Sequence, residues 1–272
     1  MIFREKKFEK NVNVYMIFLA LICLICLIVC SGILFLMRKD ANKLTARDIF
    51  NANIYSVVEI KAYSEDVGES FGTAEFIDKD GTLITNAHVV TYIQLNSRYA
   101  FEEFYIRFAM DEEYIEVSMI KYDANLDIAI LKMNSAMHKF EPINVADSSK
   151  ILTGDKVYAI GNSANYGLSM SEGIIGSSLI NITYNDQTRS VIQANINITE
   201  GNSGGALLDK NGRMVGITTF RTRDSAGNVI YGIAYCIPSN TVLQYINASG
   251  GKYEKAIHFY FNFVCDCLCI VS

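Results

Sequence analysis

Short runs that alternate apolar and polar residues, separated by glycine, asparagine and aspartate, dominate the chain after its first fifty residues. Such runs are typical of strands with one face in a core and the other near solvent. Twelve runs show this pattern, at 54–63, 71–77, 81–85, 102–108, 113–121, 127–133, 156–161, 170–177, 189–194, 205–209, 213–220 and 230–236. Twelve short strands predict an all-β fold of two six-stranded antiparallel β-barrels.

Two helices and one loop complete the predicted domain. Thr45 is followed three residues later by Asp48, which is typical of a helix-capping start before the first strand. The segment 238–246, with Pro238 at its start, predicts a closing helix. The segment 91–104 contains several aromatic residues and predicts a mobile loop.

An uncharged apolar run covers residues 14–37. As a helix it exceeds the roughly 30 Å hydrocarbon core of a bilayer, so it predicts a single transmembrane helix. A cleaved signal peptide has a shorter apolar region and a small-x-small exit, and this run has neither. Four basic residues precede the run and four follow it: Arg4, Lys6, Lys7, Lys10, Arg38, Lys39, Lys43 and Arg47. Charge alone therefore leaves the orientation open.

These patterns divide the chain into five parts. They are a short charged leader at 1–13, the transmembrane helix at 14–37, a connector at 38–50, one catalytic domain at 51–250 and an apolar, cysteine-containing tail at 251–272. The net charge is -5 and the basic residues are dispersed, which excludes an electrostatic surface for nucleic acid.

Cysteine usage indicates a domain without cross-links. Of seven cysteines, only Cys236 lies in the predicted domain, so no disulfide can form within it. Three thiols in the tail, at Cys265, Cys267 and Cys269, lack a fourth ligand nearby. The sequence predicts no metal site and no cofactor.

A glycine-flanked serine occurs in the segment Gly201-Asn202-Ser203-Gly204-Gly205. Glycines at this spacing allow a tight turn that exposes the hydroxyl and brings backbone N–H groups together. Acyl transfer needs such donors, because an oxyanion develops on the attacked carbonyl. The segment alone is equally typical of a surface turn. Since serine is a weak nucleophile at neutral pH, catalysis also requires a base and an orienting acid.

Three histidines are candidates for the base. His88 directly follows a strand-like run, whereas His138 lies in a polar connection and His258 in the tail. His88 is therefore the preferred base.

Two aspartates are candidates for the acid. Asp127 opens a strand that is too apolar to be solvated on either face, so its carboxylate needs a partner, and an imidazole N–H would satisfy it. Asp123 lies four residues earlier in a more polar segment and ranks second.

The order along the chain is His88, Asp127, Ser203. Gly-x-Ser-x-Gly is also the nucleophile elbow of α/β-hydrolases, in which the acid and the base follow the serine. Here only His258 follows Ser203, and strand-like segments outnumber helical ones. The order therefore favours a Ser-His-Asp triad with the histidine first.

Further segments resemble the HtrA/Deg group of trypsin-like serine proteases, over residues 51–247. The similar segments lie around the histidine and the aspartate, between aspartate and serine, and after the serine, at 85–90, 126–132, 159–162, 173–177, 212–218 and 232–240. The resemblance implies the chymotrypsin-like arrangement of the two barrels, with the active site in the cleft between them.

By this resemblance Ser203 is the nucleophile, His88 the base and Asp127 the orienting acid, and the N–H groups of Gly201 and Ser203 form the oxyanion hole. An extended substrate is expected to bind along the strand from Gly216 to Phe220, with Gly216 and Thr218 in contact with it. The residue six before the nucleophile, Asn197, is expected at the base of the specificity pocket.

Two departures from the group change these expectations. Members usually continue into PDZ domains, and no PDZ module fits in the residues after the last protease-like segment. Asn197 provides no acidic charge for a Lys or Arg side chain, so small or medium apolar side chains are the expected preference.

The sequence thus predicts a membrane-anchored serine endopeptidase that cleaves extended or misfolded polypeptides, in protein quality control or stress response. The resemblance implies an extracytoplasmic catalytic domain at the cell membrane and a homotrimer. The alternative is a catalytically silent, membrane-anchored holdase or scaffold with an unassembled triad.

Overall fold

The computed structural model describes residues 16, 18–33, 43–109, 111–134, 138–184, 187–223 and 229–248. Residues 16 and 18–33 are helical, and the remainder of the predicted span at 14–37 lies outside the described residues, as do the leader and the tail. No helix in the described ranges is both long enough and apolar enough to cross a bilayer.

Helix α1 (Ala46–Asn53) opens the larger compact unit, which begins at Thr45. The Asp48 N–H donates to the Thr45 hydroxyl at 3.2 Å, and the Thr45 N–H donates to the Asp48 carboxylate at 2.9 Å. This reciprocal capping confirms the helix start predicted at Thr45. The Asn53 amide donates to the backbone oxygens of Ile49 and Gly212, which ties the helix end to a distant turn.

Fourteen strands, two further α-helices and two short 3-10 helices follow within the described residues. The strands are β1 (Val57–Ser64), β2 (Gly68–Phe76), β3 (Thr82–Thr85), β4 (Thr91–Gln94), β5 (Ser97–Ala100), β6 (Glu103–Arg107), β7 (Ile115–Asp123), β8 (Ile128–Met133), β9 (Lys156–Asn162), β10 (Leu168–Tyr184), β11 (Gln187–Asn195), β12 (Ala206–Asp209), β13 (Met214–Arg223) and β14 (Val229–Pro238). Helix α2 is the single turn Ala87–Val90, and α3 (Ser239–Ala248) is the closing helix.

Twelve of these strands form two closed antiparallel barrels. The first has the order β1-β2-β3-β8-β7-β6, and the second has the order β10-β11-β14-β13-β12-β9. Each barrel encloses its own apolar core, the first around Phe76, Leu83 and Leu131 and the second around Ile175, Ile192 and Leu207. The predicted pair of six-stranded barrels is confirmed.

The prediction of a mobile loop at 91–104 is wrong. Strands β4 and β5 form a hairpin there, whose two-residue turn, Leu95 and Asn96, has positive φ angles of 50° and 62°. The rings of Tyr92 and Tyr99 face each other across it with centroids 5.8 Å apart. Such aromatic cross-strand pairs stabilise a hairpin, which explains the aromatic residues in this segment.

Glu75 is a fully buried carboxyl group on β2. Its neighbours Ala74 and Phe76 belong to the first core, so Glu75 faces out of that barrel. On the same face of β2, Thr73 receives a hydrogen bond from the Asn162 N–H of the second barrel. Neither carboxyl oxygen of Glu75 has a hydrogen-bond partner in the described structure. Burial raises the pKa of Glu75 well above its ordinary value.

This raised pKa predicts a stability that falls with rising pH. The unfolded chain releases the Glu75 proton at an ordinary pKa while the folded chain keeps it, so rising pH favours unfolding across that window. We expect Glu75→Gln to raise the thermal midpoint above the wild type by about 3 °C or more at about pH 8, and by much less at about pH 5. Thermal unfolding at both pH values measures this. Glu65→Gln, in the exposed turn between β1 and β2, is the control. If the difference in thermal midpoint between Glu75→Gln and the wild type were equal at both pH values, the account would be contradicted.

Candidate active site

His88 and Asp127 form a close pair at the edge of the first barrel. His88 lies in the turn α2, directly after β3, and Asp127 immediately precedes β8. The distance from His88 Nδ1 to Asp127 Oδ2 is 2.8 Å, and the backbone N–H of His88 donates to Asp127 Oδ1 at 3.0 Å. Asn86 and Thr219 also donate hydrogen bonds to Asp127. The Asn86 amide donates to the Asp127 backbone oxygen, and the Thr219 hydroxyl donates to Asp127 Oδ2 at 2.7 Å.

The environment of Asp127 keeps its carboxylate ionised. Burial by itself would raise the pKa of Asp127, but the charge of His88 and the hydrogen bonds from His88 and Thr219 outweigh it and lower the pKa. An ionised Oδ2 accepts the proton on His88 Nδ1, which leaves Nε2 as the acceptor. The His88 side chain is 40% exposed, so Nε2 is accessible to a substrate.

The nucleophile segment of the second barrel is held by the first barrel. The Thr73 N–H donates to the Ser203 backbone oxygen at 2.9 Å, and the Thr73 hydroxyl donates to the Gly201 backbone oxygen at 2.8 Å. Gly204 has a φ of 83°, and a Cβ there would lie 2.2 Å from the Thr73 backbone oxygen. Only glycine permits this approach, so the glycine after the serine brings the two barrels together.

The backbone N–H groups of Gly201 and Ser203 are the candidate oxyanion donors. Within the described part of the chain, neither the Gly201 N–H nor the Ser203 N–H has a hydrogen-bond acceptor. The carbonyl of Glu200 accepts from the Ala164 N–H at 2.7 Å. Because a trans peptide directs its carbonyl and its N–H in opposite directions, this bond fixes the Gly201 N–H away from Ala164. Such preset donors can bind a developing oxyanion.

The Ser203 hydroxyl donates to the Thr219 backbone oxygen at 3.1 Å and not to His88. Ser203, His88 and Gly201 nevertheless line one cleft, of about 880 Å³. A hydroxyl changes rotamer on the picosecond-to-nanosecond scale, so its orientation is adjustable while the backbone stays in place.

The structure places three predicted substrate-binding residues outside the lining of this cleft. Asn197 is exposed, while Ile196 and Ile198 on either side of it belong to the second core. Gly216 and Thr218 are buried, and the Thr218 hydroxyl donates to the backbone oxygens of Asn202 and Gly205. Thr218 thus supports the nucleophile segment from beneath.

Other residues of the same segments line the cleft in their place. They are Ile198, Thr199 and Glu200 before the nucleophile and Thr219, Phe220 and Arg221 on β13. For Thr219 and Arg221 the sequence contained a signal, because strand residues alternate between faces and these two are out of phase with Gly216 and Thr218. Phe220 is in phase with Thr218, and the register shift of β13 between Thr218 and Phe220 is not visible in the sequence.

The remaining candidates have other surroundings. The Asp123 carboxylate accepts the N–H groups of Asn125 and Leu126, which is a turn role. The His138 ring stacks on Phe108 with centroids 5.8 Å apart. His258 lies outside the described residues.

Residues 72–217 match the trypsin-like peptidase domain, and this range covers more than half of the chain. The chain belongs to the trypsin-like peptidase family. Its likeness to the HtrA/Deg group, predicted from the sequence, is confirmed by the relatives and structures that it matches.

Two curated relatives come from bacteria. One, from Bartonella henselae, is named "Probable periplasmic serine endoprotease DegP-like" and is 34% identical over 180 residues, which is 65% of this chain and 33% of that protein. The other, "Serine endoprotease DegS" of Haemophilus influenzae, is 32% identical over 202 residues, which is 72% of this chain and 55% of that protein. The chain spans about a third to a half of the length of these relatives.

Two solved structures share the fold. The HtrA-type protease AlgW with tripeptide aligns with a TM-score of 0.64 at 26% identity, over 76% of this chain and 65% of that one. The Rv3671c protease from M. tuberculosis, in its active form, aligns with a TM-score of 0.62 at 21% identity, over 75% of this chain and 85% of that one. The second likeness concerns the fold alone.

Proposed function

We propose that this protein is a serine endopeptidase in which Ser203 is the nucleophile, His88 the general base and Asp127 the orienting acid. The observation that carries the proposal is the hydrogen bond between His88 and Asp127, together with the cleft that His88, Ser203 and Gly201 line. A serine, an oriented base and preset donors are the parts that acyl transfer requires.

The proposed reaction has two halves. The Ser203 oxygen bonds to the substrate carbonyl carbon while its proton passes to His88 Nε2, and the oxyanion accepts hydrogen bonds from the N–H groups of Gly201 and Ser203. His88 then gives that proton to the leaving amine as the C–N bond breaks, which leaves an acyl-enzyme. Water repeats the sequence, with His88 as its base, and releases the acid and the Ser203 hydroxyl.

The Thr219 carbonyl connects substrate binding to this reaction. It accepts the Ser203 hydroxyl at 3.1 Å, and it lies on β13, whose pairing with β12 ends at Ile217. A substrate added as a strand beside β13 would offer a backbone N–H to the same carbonyl. The hydroxyl would then turn to His88, so we propose that substrate binding promotes the productive rotamer.

The substrates proposed are extended segments of unfolded or misfolded proteins. Pairing with a strand edge requires a substrate backbone without its own partners, and folded proteins rarely expose one. A role in protein quality control or stress response is proposed from the resemblance to the HtrA/Deg group, and the names of two relatives support the serine endoprotease activity that this role requires.

We also propose that residues 14–37 anchor the protein in the cell membrane with the catalytic domain outside the cytoplasm. The uncharged apolar run supports the anchor. The name of the Bartonella henselae relative contains the word periplasmic, which supports a catalytic domain outside the cytoplasm. Retention of the full chain in carbonate-washed membranes, and access of added protease to the domain from outside, test both parts.

A homotrimer is proposed from the family resemblance, and light scattering of the detergent-solubilised chain tests it.

Cleavage of unfolded casein by the full-length chain tests the proposed activity. We expect cleavage by the wild type and a loss of at least about 10⁴-fold for Ser203→Ala, because no other group replaces the attacking oxygen. Ser149→Ala, on a short 3-10 turn outside the cleft, is the matched control and should cleave like the wild type. Equal cleavage by the Ser203 variant would end the assignment.

One observation favours the alternative of a silent holdase. The Ser203 hydroxyl is bonded to Thr219 and not to His88, as it would be in an unassembled triad. A holdase would delay aggregation of unfolded casein equally well as wild type and as Ser203→Ala, without producing fragments.

A further inference from the structure

A positively charged side chain lines the cleft beside the nucleophile. Arg221 lies on β13, next to Thr219 and Phe220, which also line the cleft. In the described ranges its guanidinium has no ion pair and no hydrogen bond, whereas those of Arg107 and Arg213 are paired with carboxylates. A guanidinium presents a planar fork of donors that fits a carboxylate in two-point contact.

The sequence position of Arg221 fixes its place along a bound substrate. The Thr219 carbonyl is 3.1 Å from the Ser203 hydroxyl, so Thr219 lies beside the bond to be cleaved. Arg221 is two residues further along β13. The pairing of β13 with β14 shifts register between Thr218 and Phe220 and again between Arg221 and Arg223, and it is regular from Phe220 to Arg221. On the free edge of β13 we place the substrate residues in step with the strand residues, as in paired strands. The substrate residue opposite Arg221 is therefore two positions from the residue opposite Thr219.

The proposed binding mode sets the direction of the substrate. Its attacked carbonyl oxygen lies at the N–H groups of Gly201 and Ser203, and the residue that carries this carbonyl is flanked by the wall at 198–200 and by β13. In the binding mode proposed above, the residue that carries the attacked carbonyl donates its N–H to the Thr219 carbonyl, so the part of the substrate that precedes the cleaved bond pairs with β13. Arg221 then faces the third residue before that bond.

Two carboxylates also line the cleft, at other places. Glu69 pairs with Lys61 at 3.4 Å. Glu200 is exposed and directly precedes Gly201, so it lines the cleft on the wall at 198–200 and not on β13, where Arg221 lies. The opposite charges of Glu200 and Arg221 therefore act on different substrate residues.

We propose that Arg221 is a specificity-determining residue that selects substrates with Asp or Glu at the third position before the cleaved bond. The proposal rests on the proposed endopeptidase function and adds the substrate class to it. Complementary charge across a cleft raises the association rate and discriminates against the opposite charge.

Matched peptides test the proposal. A fluorogenic peptide built on a sequence cleaved in casein is made in three forms, with Glu, Gln or Lys at the third position before the cleaved bond. We expect kcat/KM to fall in the order Glu, Gln, Lys, with about a tenfold step from Glu to Gln. The step should shrink in high salt, since an exposed ion pair is screened.

Two variants assign the preference to one side chain. Arg221→Gln should make the Glu and Gln peptides equal, and Arg221→Glu should favour the Lys peptide. Lys150→Glu, which makes the same charge change at an exposed site outside the cleft, should keep the wild-type order. Casein cleavage by each variant shows that it is folded and active.

Failure of this inference differs from failure of the proposed function. If casein is cleaved in a Ser203-dependent way but the wild type cleaves the Glu and Gln peptides equally, Arg221 does not select substrates. If the preference survives in Arg221→Gln, another residue causes it and the proposal is overturned. If casein is not cleaved at all, the endopeptidase function itself is lost.

Discussion

Asp127→Asn should lower kcat by about 10⁴-fold while leaving Ser203 and the oxyanion donors in place. The backbone N–H of His88 donates to Oδ1, so an asparagine must direct its oxygen there. Its NH₂ group then replaces Oδ2, which lies 2.8 Å from His88 Nδ1. Two donors cannot face each other, so the imidazole must move its proton to Nε2. That tautomer cannot accept the proton of Ser203.

Peptide hydrolysis at neutral pH measures this effect, with Asp123→Asn as the matched control. Asp123 ranked second as the acid in the sequence, and its carboxylate accepts the turn N–H groups of Asn125 and Leu126. We expect Asp123→Asn to keep kcat within about threefold of the wild type. Equal losses in the two variants would show that Asp127 is not the orienting acid.

Gly201→Ala should lower kcat by about 10²- to 10³-fold, the cost of losing an oxyanion donor. Gly201 has a φ of 90°, and a Cβ there would lie 2.1 Å from the Asn162 backbone oxygen. The segment must therefore shift, and the Gly201 N–H moves from its preset direction. Because the His88–Asp127 pair lies in the other barrel, the variant should keep that pair intact.

Gly154→Ala separates this loss from general strain. Gly154 has nearly the same φ, 92°, but a Cβ there meets nothing within 4 Å. It should lose some stability and keep kcat, because only the backbone conformation is penalised. Thermal midpoints and kcat values of the two variants provide the comparison. A similar fall of kcat in both would argue against the oxyanion role of Gly201.

Alternation of apolar and polar residues was sufficient to predict both barrels, because each strand buries one face in its own core. The β4–β5 hairpin was missed because its turn, Leu95-Asn96, lacks the glycine that normally marks two positive φ angles. Without that turn signal, the segment 91–104 was interpreted as a loop.

The site was predictable in its residue types and less so in its details. Asp127 was found because a charge that borders an apolar strand needs a partner, and the partner, His88, lies at 2.8 Å. Asn197 was predicted at the base of the specificity pocket because it lies six residues before Ser203. That spacing carries no information on burial, and Asn197 is exposed between two core isoleucines. The contact of the Ser203 hydroxyl with Thr219 depends on a rotamer, which no sequence pattern specifies.

Covalent labelling of the full-length chain by a fluorophosphonate, mapped by peptide mass spectrometry, tests the central claim most directly, since only an activated serine reacts. The account predicts one adduct per chain on Ser203, faster labelling when a peptide too short to be cleaved occupies the β13 edge, and no adduct in His88→Ala. An unlabelled Ser203 with and without peptide, or an adduct that persists without His88, would contradict it.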